Sequence, residues 1–120
     1  MCRSRFPGEV SRGGAFGDVD NDGDVVVSNN NGPVRLLLNE VGTAARSLSI
    51  RLEGVESNRV GIGARVALLR AGRDPTWRRV HRDGSYLSAS DIRVHFGLGD
   101  VGDAAVEGVG VVWPNGLQER

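Results

Sequence analysis

Lysine is absent from this 120-residue chain, and cysteine, histidine and aromatic residues are scarce. Cys2 stands alone, so no internal disulfide can form, and the redox compartment stays open. Two histidines and one cysteine are too few for a zinc site of the usual N/S donor set. Arginine supplies all fifteen positive charges against fifteen aspartates and glutamates, leaving no net charge. That balance argues against a general nucleic-acid binder or an anionic-membrane binder, both of which carry a basic excess. No apolar run approaches the roughly 18 residues of a membrane span. The opening "MCRSRFPGEV" lacks the apolar core of a secretory signal.

Helical periodicity is missing as well. No eleven-residue window carries an apolar i, i+3, i+4, i+7 stripe, whereas eighteen glycines punctuate short β-branched runs. The pattern predicts an all-β protein, of one ordinary domain or two small ones. A chain of this size buries roughly 65% of its unfolded surface, enough for a modest core.

Val25–Ser28 and Pro33–Asn39 flank the turn-forming "NNNG" and are expected to pair antiparallel. After a soft boundary at "EVGTAAR", Leu48, Ile50 and Leu52 alternate with polar residues as a half-buried strand does. "GARVALLRAG" reads as the next strand. "TWRRVHR" follows, with Asp74–Pro75 as its entry turn and Trp77 and Val80 directed inward. In "IRVHFGL", Ile92, Val94, Phe96 and Leu98 share one face; Arg93 and His95 take the other. "VGVVWPNG" sets Val109, Val111 and Trp113 on one face and ends in a Pro-Asn-Gly turn. Trp113 is expected as a core anchor.

The residues richest in chemistry lie in "FGDVDNDGDVVV", where Asp18, Asp20, Asp22 and Asp24 alternate around Gly23. Like charges this close repel unless water or a cation lies between them. Asp18, Asp20 and Asp22 occupy positions 1, 3 and 5 of a D-x-D-x-D-G calcium loop, Gly23 the tight bend, and Asp24 the position whose carbonyl would follow. An EF-hand would need Glu at position 12, where Asn29 stands, and it would need flanking helices. The competing interpretation is a set of Asx-turns binding nothing.

Ser85, Asp91 and His95 invite comparison with a Ser-His-Asp nucleophile, but no G-x-S-x-G elbow is present. A loop whose hydroxyls cap its own turn is the simpler expectation. Arg78, Arg79, Arg82 and Arg93 would form either a solvated sheet face or a face for an acidic glycan. His81 is expected as an exposed strand residue, and Asn58 and Arg59 as shaping the turn before "GIGARV".

Two families are recognisable in these stretches. "GGAFGDVDNDGDVVVSNNNGPVRLLLNE" resembles an FG-GAP (VCBS-type) repeat of the cartilage acidic protein group. "SNRVGIGARV", "GSYLSASDIRVHFGLG" and "VVWPNG", in that order, resemble an ASPIC/UnbV domain. The resemblance implies a partial propeller repeat over 1–42 and a β-sandwich or barrel-like domain over 46–120. It implies a non-enzymatic binding or adhesion module, the C-terminal piece of a larger extracytoplasmic protein, partnered by upstream FG-GAP blades and by a protein or glycan ligand. The alternatives are a structural cap on the propeller and, further off, a hydrolase or enzyme accessory. FG-GAP loops usually place another aspartate at position 9, here Val26, so calcium is expected to bind weakly, in about the millimolar range, or to be lost.

Overall fold

A computed structural model describes residues 10–17, 23–40, 46–99 and 105–120. Among these the chain is all-β, with no helix. Contacts divide it into two units, Met1–Glu40 with Asp83–Asp91, and Val41–Arg82 with Ile92–Arg120.

The first unit is a three-stranded antiparallel sheet in the order β1-β2-β3, formed by Ser11–Gly17, Asp24–Asn29 and Arg35–Leu37. The expected pairing across "NNNG" forms, with Val25 opposite Leu37 and Val26 opposite Leu36. Its turn uses Asn31 in the left-handed region (φ 58°), where asparagine is better tolerated than most residues. The Asn29 side-chain amide donates to the Pro33 carbonyl at 2.9 Å, closing the bend.

Strand β1 is Gly-rich, and much of its support comes from 70 residues away. The amides of Gly14 and Phe16 donate to Ser85 Oγ (3.0 Å) and Ser90 Oγ (3.2 Å), and the Asp91 amide donates to the Phe16 carbonyl at 2.8 Å. The loop at 83–91 thus satisfies edge groups that would otherwise stand open to another strand. Ser88 caps its own turn, donating from Oγ to the Tyr86 carbonyl at 2.9 Å. The expectation for this loop is corrected accordingly: Ser85 and Ser90 bind β1.

Among the described residues, the second unit has six strands. β4 (Arg46–Ile50) pairs antiparallel with β7 (Val94–Gly99). β5 (Arg65–Arg70), β6 (Arg73–Arg79), β8 (Val106–Val112) and β9 (Gln118–Glu119) form an antiparallel sheet in the order β6-β5-β8-β9. The sheets contribute facing apolar residues to one core, as a sandwich does, and neither closes into a barrel. Ala64, Val66, Leu68, Val80, Val94, Phe96 and Trp113 are its buried members, with Leu48, Ile50, Leu52, Ile92, Leu98, Val109 and Val111 packed around them. The alternation expected for 48–52, 92–98 and 109–113 is the alternation found.

Strand β6 differs from expectation in two respects. Its entry turn is Ala71–Gly72, with Gly72 at φ 67°, so Asp74 and Pro75 lie inside the strand. Proline is accommodated there because β6 is an edge strand and need donate no hydrogen bond on its open side. Trp77 does not point inward. It stands opposite Ala67, on the face away from Val66 and Leu68, and 49% of its surface is exposed. Val80 is buried as expected, its amide donating to the Ala64 carbonyl at 2.8 Å. Residues three apart on an extended chain face opposite ways, so the two could not share one side.

Candidate functional site

Strand register assembles the outer face of the four-stranded sheet. Arg65 pairs with Arg79 on one side and Val112 on the other; Ala67 pairs with Trp77 and Gly110; Leu69 pairs with Gly108. Directly paired residues project to the same side of a sheet, so Arg65, Trp77 and Arg79 share this face with two glycines of β8. The Arg65 guanidinium lies 5.5 Å from the centroid of the Trp77 ring, within cation–π range. Gly108 and Gly110 raise no side chain beside them, leaving the strip next to the indole low. An exposed indole flanked by guanidinium groups offers a stacking plane for a ring and charged donors for carboxylate or sulfate oxygens.

The four arginines do not gather on one face. Arg78 is on the opposite side of β6 from Arg79, and the exposed Arg82 and half-buried Arg93 lie outside the strands. His81 is exposed, as expected, but it lies beyond the end of β6 and not in a strand. His95 Nδ1 lies 2.7 Å from Ser49 Oγ across the β4–β7 pair, while Ser85 Oγ accepts from the Gly14 amide. Both groups are therefore engaged in structural bonds.

Of the calcium-loop residues, Asp18, Asp20 and Asp22 lie outside the described residues. Asp24 begins β2 and is only 1% exposed, with one carboxylate oxygen accepting from the Asn39 amide at 3.2 Å. Gly23 takes φ 82°, a conformation suited to the bend position of such a loop. Among the described residues, no three Asp, Glu, His or Cys side chains group as metal ligands.

Asn58 shapes its turn more fully than expected. Its Oδ1 accepts from the Ile62 amide (2.7 Å) and its Nδ2 donates to the Ile62 carbonyl (2.8 Å), so one side chain replaces a strand partner. Arg59 instead reaches Glu53 at 3.6 Å on the exposed surface, where an ion pair adds little.

Sequence reasoning missed the exposure of Trp77 and a cavity of about 370 Å³ beside Trp113. Strand parity relative to Val80 was the available signal for the first. The second depends on two loops meeting, which no local pattern announces.

No curated protein and no solved structure matches the chain. A family model does, that of ASPIC and UnbV, over residues 54–120. This stretch takes in the Asn58 clamp, the outer sheet face and the Trp113 turn, and it covers more than half of the sequence: the chain belongs to the ASPIC and UnbV family.

Proposed function

We propose that this chain is a non-catalytic binding and adhesion module acting outside the cytoplasm, and that its ligand is an acidic glycan held on the Arg65–Trp77–Arg79 face. The half-exposed Trp77 carries this proposal. An indole left in water on an edge strand, against an arginine, is an energetic cost without a partner, because it leaves apolar area hydrated. A sugar ring stacked on it would remove that area while arginines meet the ligand's charges. The protein's zero net charge means that attraction is local to this face. Titration with a sulfated tetrasaccharide, followed by tryptophan fluorescence, tests the proposal. Binding should be saturable, weakened by salt and lost in Trp77→Ala; equal binding by that variant would refute it.

A second reading has its own support. In the first unit, Phe16 and Leu37 are exposed on one face of the sheet, and Val26 and Leu36 on the other. Phe16 is 65% exposed. A propeller blade has both faces covered by its neighbours. We therefore extend the proposal to include a parent protein whose upstream FG-GAP blades cover this sheet, with calcium at Asp18, Asp20, Asp22 and Asp24 as a weak stabilising ion. If Trp77→Ala has no effect on ligand capture by the parent protein, the cap role alone remains.

A further inference from the structure

Arg65 occupies a side of the indole that a stacking ligand would need. Its guanidinium lies over the Trp77 ring, 5.5 Å from the centroid, and both residues are exposed. Ala67, directly opposite Trp77 on the same face, is only 1% exposed, although its other partner, Gly110, has no side chain to cover it. The indole is the cross-strand side chain placed to shield Ala67. One broad side of the ring is thereby turned to the sheet, and the other is shared by Arg65 and solvent, in keeping with a Trp77 exposure of 49%.

The guanidinium is held there weakly. An exposed cation–π contact shifts an equilibrium by only about two- to fivefold. Ala67, Trp77, Arg79, Gly110 and Val112 are the residues that the register places around Arg65 on this face, and none of them is acidic. A long exposed side chain reorients within nanoseconds or less. Its planar fork also pairs with sulfate or carboxylate oxygens more strongly than with a ring.

We infer that Arg65 sets the selectivity of this face, covering the indole against neutral rings and moving onto the charge of anionic ones, a role that rests on the glycan binding proposed above. A neutral ring that stacks on the indole displaces the guanidinium and offers it nothing in return. An anionic ring displaces it too, but the guanidinium then donates charge-assisted hydrogen bonds to the ligand's sulfate or carboxylate oxygens. Removing Arg65 therefore acts oppositely on the two kinds of ligand: neutral rings bind better and anionic rings worse. A cation acting only by long-range attraction would leave neutral rings unaffected.

The test uses the full 120-residue chain with cellotetraose and sulfated cellotetraose, which share one ring backbone and differ in charge. The Trp77 indole N–H resonance, assigned from the Trp77→Phe spectrum, reports binding. The resonance of the buried Trp113 reports that each variant is folded. Arg65→Gln should bind cellotetraose about two- to fivefold more tightly than the wild type does. It should bind the sulfated compound about tenfold more weakly, the effect of losing one charge-assisted bond. Arg78→Gln, which removes the same charge from the opposite side of β6, should leave both affinities unchanged. Unchanged or weaker cellotetraose binding by Arg65→Gln, while the wild type binds the sulfated compound, would overturn the role of Arg65 and leave the glycan proposal standing. Equal effects of Arg78→Gln would overturn that role as well. A Trp77 signal that neither compound moves in the wild type would overturn both.

Discussion

A Cβ built on Gly13 would lie 2.6 Å from the Ser88 hydroxyl oxygen and 2.8 Å from the Tyr86 carbonyl oxygen. Strand β1 and the 83–91 loop approach so closely here that only glycine fits. Gly13→Ala should therefore cost about 1–3 kcal/mol, as overpacking does, and loosen the Gly14 and Phe16 amides first. Amide hydrogen exchange checks this. Gly97→Ala, whose Cβ meets nothing within 4 Å, is the matched control and should be near neutral.

Leu87 sits at the tip of the same loop with φ 48°, a conformation costly for a branched side chain, and it is almost fully exposed. Leu87→Gly should stabilise the first unit, by about 1 kcal/mol, because strain is relieved and no burial is lost. Thermal unfolding would show a rise in that unit's midpoint; a fall would mean that the leucine makes a contact worth more than its strain.

Much of the second unit's architecture is readable from alternation, because one buried face forces a period of two. Ile92, Val94, Phe96 and Leu98 report it cleanly, since each step out of register would place a charged or polar residue inside. The same signal failed at Trp77. Aromatic character suggested burial, whereas position relative to Val80 dictated the opposite face. Strand β1 was hidden for another reason: "SRGGAFG" has little intrinsic strand preference, and its bonds to Ser85, Ser90 and Asp91 are distant in sequence. The candidate sites were least legible, since both depend on residues joined by register or by meeting loops.

Asn58 makes two bonds to Ile62 with one side chain, so its removal should be felt beyond the turn. Asn58→Ala is expected to cost about 1–3 kcal/mol in denaturant unfolding. Asn58→Asp should recover only part of this, because the acceptor for the Ile62 amide survives while the donor to the Ile62 carbonyl is lost. Full recovery would show that the donor bond contributes nothing.

Calcium should stabilise the first unit weakly. Ten millimolar Ca²⁺ is expected to raise its melting temperature, with EDTA reversing the rise and Asp20→Asn abolishing it, in keeping with the millimolar affinities of some extracellular sites. An unchanged melting curve at that concentration would remove calcium from the account.

The packing of Val66, Leu68, Val94, Phe96 and Trp113 into one core underlies everything said of the second unit. Phe96→Ala should lower stability by about 3–5 kcal/mol, the range for a deleted buried aromatic ring. The most direct measurement is residue-resolved hydrogen exchange of the wild-type chain and this variant side by side. β5, β7 and β8 should show the highest protection and lose it together in Phe96→Ala, while β1–β3, with apolar side chains exposed on both faces, exchange faster in both proteins. Equal protection of β1–β3 and β5–β8, or a loss confined to β7, would contradict the account.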